Sequence, residues 1–356
     1  MNSWTGGQFS IFRFCLGLAA AGGFAWQAGE GGWALALGLP MMVVAGAFAV
    51  GWYDKVAALL LVFACLVGMG EGAAWIGYMP LGLLFLFHMI KAPPAPFGSV
   101  AALGRLDPGG NWKMPPDYIP GVAALFGGVA IANLFLWLTH EETFGWGLRR
   151  VTVSTVEVLL FVLQATAAFV FARTQSPSGW LVLVGVTAVL GTMVGSYGAT
   201  LGHGLFLLVL FQPRWIPARG RAGDPDVMFY DGQCGLCHMC VRLILAEDRE
   251  GAFIFAPLRG ELYHQVFSPE QQRRLPDAVL VPLKNGRVLA RSAAALYALT
   301  RLGGLWRLIA EGVLILPRPL TDLVYKGVAR SRHILFKRPK QDCPLVPPRL
   351  ARRMKG

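Results

Sequence analysis

The residues best placed to do chemistry are two thiols, Cys234 and Cys237, separated by Gly235-Leu236. A β-prone run, Val227-Met228-Phe229-Tyr230, precedes them and ends at Asp231-Gly232. A helix-prone run, Val241-Arg242-Leu243-Ile244-Leu245, follows. The spacing predicts a strand that turns into a helix N-terminus with both sulfurs at the turn. Backbone N–H groups point outward there, and the helix dipole favours a thiolate on the first cysteine. Thiol-disulfide exchange needs a stabilised thiolate that attacks and a second thiol that resolves the mixed disulfide. Cys234 is expected to attack, and Cys237, one helical turn later, to resolve. Asp231 is expected to cap the helix or relay a proton. The expectation requires sulfurs that face each other and can be reached from water.

The other cysteines read differently. Cys240 is expected to face the core, and Cys343 is a candidate auxiliary thiol in the tail. Cys15 and Cys65 fall in apolar segments and read as inert core thiols. A competing chemistry is metal or haem binding. Cys234, Cys237 and Cys240 with His238 offer a zinc donor set. The string from Cys234 to His238 also matches the c-type haem attachment pattern. The same cysteines echo an iron–sulfur run whose fourth ligand, Cys343, lies too far along the chain. The redox reading leads, and it requires no metal or other cofactor.

The elements that must hold this site divide the 356-residue chain in two, and 55 % of its residues are hydrophobic. Residues 1–212 run almost unbroken as apolar residues, which excludes an ordinary soluble protein. The reading is a multi-pass membrane domain over 1–212, a basic linker over 213–225, an α/β domain over 226–348 and a basic tail over 349–356. Acidic and basic residues balance before residue 213, so the whole net charge of +12 falls in the second half. That places a basic domain against anionic lipid on the cytoplasmic face, in a protein of bacterial inner-membrane type. No aromatic-basic repeat or nucleic-acid motif is present, so nucleic acid is not an expected partner.

In the first half, spans are expected at Phe9–Gln27, Trp33–Trp52, Gly121–Leu138 and Val153–Ala172. Two overlong runs, Val56–Ile90 and Trp180–Phe211, read as hairpins broken near Gly68–Gly72 and Gly191–Gly198. The order span, span, hairpin, Pro-rich exit occurs twice, which suggests a tandem four-helix repeat. With about eight helices and both termini inside, Lys55, Lys91, Arg105, Lys113 and Arg173 fall on the cytoplasmic side and only Arg149 and Arg150 outside. Arg13, Glu71, Glu157 and His203 are the ionisable candidates at membrane depth, with Asn133 and Gln164 as polar companions. Arg13, Glu71 and His203 are expected near an interface, and Glu157 in a buried pair or a functional site.

In the second half the elements run β-CxxC-α-β-α-β-β-α, the order of a thioredoxin-like fold. Ser268-Pro269-Glu270-Gln271 reads as a capping box, Lys284–Arg287 as a hairpin turn, and Ser292 as the cap of a helix ending at Gly303-Gly304. Pro276 is the candidate for a proline beside the dithiol. The fold class is thus an all-α membrane bundle followed by an α/β thioredoxin-like domain.

Tyr230-Asp231-Gly232-Gln233-Cys234-Gly235-Leu236-Cys237 resembles the Asp-x-x-Cys-x-x-Cys signature of the DCC family of thiol-disulfide oxidoreductases. The likeness continues through Phe253–Leu258, Arg291–Ala294, Leu302–Gly304, Leu316–Pro319 and Tyr325–Arg332. The resemblance implies dithiol redox chemistry carried by Asp231, Cys234 and Cys237. The implied partner is a disulfide- or dithiol-bearing protein or small thiol. The first half resembles, more loosely, membrane domains of the HTTM or DoxX type, and no residue carries over from them. A membrane enzyme or transporter acting on a lipid-like or quinone substrate, with the dithiol domain as regulator, is the alternative.

Overall fold

Residues 4–29, 32–69, 75–93, 96–110, 112–139, 147–194, 197–220, 225–335, 339 and 343–355 are described by a computed structural model. Glu71 lies outside them. Apolar side chains on all sides of a helix must meet other helices or lipid, and the first half is built of such helices. They are α1 (Gly6–Ala28), α2 (Gly32–Val50), α3 (Asp54–Met69), α4 (Trp75–Lys91), α5 (Tyr118–Thr139), α6 (Gly147–Thr174), α7 (Pro177–Val194) and α8 (Tyr197–Leu210). Both overlong runs are divided between two helices, α3 and α4 in one and α7 and α8 in the other, at the Gly-rich stretches. Among the described residues, three segments are long and apolar enough to cross a membrane: Gly6–Trp26, Tyr118–Phe135 and Thr155–Thr174. Leu35–Val50, Tyr78–Lys91, Pro177–Met193 and Leu201–Leu210 are shorter apolar helical segments.

Helices adjacent in sequence pack as pairs, α1 on α2, α3 on α4, α5 on α6 and α7 on α8. Between the first four helices and the second four, α4 packs on α8, α1 on α8 and α4 on α5, and within the second four α5 also packs on α8. Exchanging the two sets maps α1 on α8 onto α5 on α4 and leaves α4 on α8 unchanged, but α5 on α8 has no counterpart among the main contacts of α1 and α4.

The second half is mixed α/β. It contains β1 (Asp226–Tyr230), α9 (Gly235–Glu247), β2 (Phe253–Pro257), α10 (Glu261–Val266), α11 (Pro269–Arg274), β3 (Leu280–Pro282), β4 (Val288–Ala290), α12 (Ser292–Leu302), α13 (Gly304–Leu314), α14 (Arg318–Leu335) and α15 (Pro348–Ala351). The four strands lie in the order β2-β1-β3-β4, with β1 parallel to β2 and β3 antiparallel to both β1 and β4. Side chains alternate across a strand. Met228 and Tyr230 therefore join Val241, Ile244, Phe253 and Ala298 on one face, while Phe229 joins Tyr263, Phe267 and Leu280 on the other.

Local signals behaved as physics requires at α11, where Ser268 and Gln271 form the reciprocal capping box behind Pro269. The β3–β4 turn closes through Leu283 N–H to Arg287 O at 2.8 Å, with Gly286 at φ +80°. Ser292 does not cap α12. It is the first residue of that helix, and its hydroxyl donates to Asp322 of α14 instead. Residues 349–355, read from sequence as a basic tail, fold back onto the sheet. Phe255 N–H donates to Arg353 O at 2.8 Å, and Lys355 N–H to Phe255 O at 2.7 Å. Arg353 also pairs with the buried Asp248.

Candidate functional site

The dithiol sits where the strand-to-helix turn was expected. β1 ends at Tyr230, and Asp231 to Gln233 make the turn. Cys234 is itself the N-cap of α9, with extended backbone (φ −110°, ψ 114°), and its Sγ accepts the Cys237 N–H at 3.2 Å. An N-cap normally offers an oxygen to the orphan N–H groups of the first turn. A sulfur in that place receives the Cys237 N–H of the first turn and so holds the two cysteines together at the start of the helix.

Accessibility is reversed from the usual arrangement of an exposed attacking thiol. Cys234 is 2 % exposed, whereas Cys237 is half-buried. The reason is packing: β1 delivers its C-terminal end into the domain core, and Cys234 follows it inward. The requirement for two water-facing sulfurs thus holds for Cys237 and fails for Cys234. Cys240, expected in the core, is exposed. Cys343 is half-buried in the returning tail, and its neighbour Leu345 accepts from Arg242 of α9 at 2.6 Å.

Asp231 does not cap α9, since Cys234 holds that position. Its Oδ1 accepts Gln233 N–H at 2.9 Å, and its carbonyl accepts Cys234 N–H at 3.2 Å. It shapes the turn that aims the first sulfur. His238 is the turn's second support. Its buried ring packs edge-on against Tyr230, and Nε2 lies 2.8 Å from Gly232 O. A carbonyl only accepts, so Nε2 carries the proton and donates. That nitrogen is therefore committed to the turn. Among the described residues no group of three or more His, Cys, Asp or Glu side chains is arranged around a common metal position.

His238→Ala is expected to lower stability by about 1–2 kcal/mol, because Gly232 O loses its partner in a buried place. His238→Gln, which can still donate, is expected to restore part of the loss. Thermal unfolding of the full chain in detergent, read side by side for the two variants, checks this.

Pro276 lies four residues before β3, and the peptide bonds are trans among the described residues. The β1–β3 register, Phe229 opposite Leu280, sets Val279 level with Tyr230, the last residue of β1, and runs Ala278 past its end. Pro276 is further out, and its carbonyl accepts Ala278 N–H at 2.9 Å. Tyr325 of α14 also reaches this edge, where its Oη accepts Val279 N–H at 3.4 Å.

A residue that sequence reasoning passed over joins the two halves. Glu247, the last residue of α9, is 3 % exposed. Its carboxylate accepts Gly7 N–H at 2.7 Å, Trp306 Nε1–H at 2.6 Å and the Thr5 hydroxyl. Gly7 lies in the first turn of α1, so the carboxylate satisfies orphan donors of a helix in the first half. A Cβ on Gly7 would stand 2.7 Å from the Glu247 carboxyl carbon, so only glycine permits the approach. Burial pushes the Glu247 carboxyl above its ordinary value, against the three donors that pull it down. Locally, Ala246-Glu247-Asp248-Arg249-Glu250 reads as a surface run, and nothing in it signals a partner some 240 residues earlier. Beside this joint a cavity of about 500 Å³ is lined by residues including Gly6, Asp107, Trp112, Arg249 and Arg353.

The membrane-depth candidates separate into two groups. Arg13 is fully buried; its Nε donates to Ala49 O at 3.4 Å, and Gly51 packs on its guanidinium. Near it, Asp54 Oδ2 is 3.3 Å from His88 Nε2, and Lys55 donates to His88 O at 2.8 Å and Met89 O at 3.0 Å, closing the end of α4. His203 is also buried, 3.4 Å from Asn133 and packed on Phe126. Glu157 is buried, and Gln164 donates to Thr187 at 2.9 Å.

The second half is thus a mixed α/β domain with two cysteines at the N-terminus of its first helix. Residues 228–338 match the family described as DCC1-like thiol-disulfide oxidoreductase. The uncharacterized protein YuxK of Bacillus subtilis is 29 % identical over 127 residues, which cover 36 % of this chain and 91 % of that protein. A chloroplastic DCC family protein of Arabidopsis thaliana is 26 % identical over 136 residues, covering 37 % of this chain and 77 % of that protein. No solved structure matches significantly. The family supports a general thiol-disulfide function for the second half of the chain.

Proposed function

We propose that the chain is an integral membrane thiol-disulfide oxidoreductase whose dithiol is Cys234 and Cys237. The observation that carries this is the Cys234 sulfur accepting the Cys237 N–H at the helix N-terminus. The Cys234 thiolate attacks a substrate disulfide, forming a mixed disulfide and expelling one substrate thiolate, which takes up a proton. The Cys237 thiolate then attacks Cys234 Sγ. The protein's own disulfide forms, the second substrate thiol leaves, and two electrons have passed to the substrate. A partner dithiol reverses the process and restores the reduced pair. Because Cys234 is buried, the partner must displace its cover, so docking precedes chemistry. The sheet order and the strand–dithiol–helix junction support a thioredoxin-like domain.

The first half is read as eight membrane-crossing helices with both termini on one side. Lys55, Lys91, Arg105, Lys113 and Arg173 share that side with the basic domain, which supports a cytoplasmic placement. A second reading, in which the dithiol domain regulates the membrane half, is favoured by the Glu247 joint. Cys237→Ser tests the first. It leaves Cys234 free to attack and nothing to resolve, so a thiol-reversible adduct with the partner is expected to accumulate. If Cys234→Ser accumulates the adduct instead, the roles are exchanged. If neither variant does, the dithiol reading fails.

A further inference from the structure

The last two long helices turn their apolar faces away from their own domain. Leu320, Leu323, Val324 and Val328 recur at helical spacing along α14, with Leu323 65 % and Val324 61 % exposed. The opposite face docks: Asp322 accepts from Ser292, and Tyr325 accepts from Val279 N–H. Leu308 and Ile309 of α13 and Ile315 just after it, 85 % exposed, are apolar and exposed as well. A surface helix of a soluble domain does the reverse, burying its apolar stripe and exposing its polar one. Exposed apolar helix faces of this kind mark an interaction site.

Three observations select a lipid bilayer as the occupant. The first is location. Gly304 N–H, opening α13, donates to Ile216 O at 2.9 Å, just past the end of α8. Trp306, in the same turn, donates to the Glu247 carboxylate that also receives the start of α1. A Cβ on Gly304 would lie 2.8 Å from Pro213, so this turn is pressed against the exit from the membrane half. The second is likeness of exposure: Phe63 on α3 is 66 % and Leu159 on α6 is 62 % exposed, and lipid is their solvent in the membrane reading. The third is charge. Arg318, Lys326 and Arg330 are exposed on α14, in the half that carries the whole +12.

We propose that α13 and α14 lie in the plane of the membrane surface. Leu308, Ile309, Ile315, Leu320, Leu323 and Val324 enter the acyl region, and Arg318, Lys326 and Arg330 meet anionic headgroups. The proposal rests on the membrane reading of the first half. Because α14 also packs on α9, the dithiol helix is held to the same surface.

The test places a single nitroxide on Val324→Cys in a full chain whose native cysteines are serine. The protein is reconstituted in vesicles of phosphatidylcholine and phosphatidylglycerol. Leu159→Cys serves as the lipid control and Glu270→Cys, exposed on α11, as the aqueous one. Collisions of the Val324 label with a water-soluble nickel chelate are expected to fall to the Leu159 level, with oxygen collisions rising to match. A nickel response like that of Glu270, with Leu159 still reading lipid, overturns this proposal alone. Spin–spin broadening at Val324 overturns it in favour of contact between copies. An aqueous Leu159 overturns the membrane reading as well. If the cysteine-free chain does not fold, p-benzoylphenylalanine replacing Leu323 in the otherwise native chain decides the matter. A lipid adduct supports the proposal and a protein adduct overturns it.

Discussion

Cys234→Ser is expected to slow disulfide exchange by on the order of 10³-fold or more, the scale of losing a nucleophile from a unit that acts together. Cys234 Sγ is the acceptor for the Cys237 N–H, so the proposed nucleophile is also the cap of α9. A serine oxygen can take the same hydrogen bond, which keeps the cap and the fold but supplies no thiolate. The variant should therefore retain its unfolding midpoint while losing reduction of a disulfide substrate such as insulin. Cys237→Ser loses turnover too, but it keeps the first half-reaction, visible as one equivalent of released thiol. If Cys234→Ser keeps that first release, Cys237 is the attacking sulfur. Its greater exposure would then decide which sulfur attacks.

Glu247→Ala carries the second large effect, a loss of about 3 kcal/mol in stability. Truncation leaves Thr5, Gly7 and Trp306 with buried donors and no acceptor, at the seam between α1, α9 and α13. On a chain of this size that corresponds to a fall of about 4 °C in the thermal midpoint. Glu247→Gln is milder, because one acceptor oxygen remains. The pH dependence has a definite sign. Burial raises this carboxyl in the folded chain. Its contribution to stability is thus full below its unfolded value and is lost as the pH rises through the raised folded one. The folded chain should gain stability from Glu247 as the pH falls through that window. Glu247→Gln should lack this component in the difference between the two titration curves. A midpoint unchanged in Glu247→Ala would mean that the two halves are held together elsewhere.

Much of this molecule was readable from local pattern. Runs of apolar residues have few places to go, so the helices of the first half and the Gly-rich breaks near residues 70 and 195 follow from hydropathy. The capping box at Ser268, the hairpin at Asn285-Gly286 and the turn before Cys234 depend on neighbours within a few residues. Local chemistry settles them. The short helices α10 and α15 were not seen, because segments of 6 and 4 residues carry too little periodicity.

By itself, then, the sequence determined the division into an apolar half and a basic half, the strand–dithiol–helix order and the identity of the two sulfurs. The first rests on composition over long stretches and the others on residues close together in the chain. Only the tertiary structure decided that Cys234 is the buried thiol and that Ser292 serves α14 rather than α12. It alone showed that Arg13 is enclosed, that the basic tail returns to β2, and that Glu247 closes the start of α1. Those outcomes depend on which distant surfaces meet. Burial is set by the sum of such contacts, and no short window of sequence contains them.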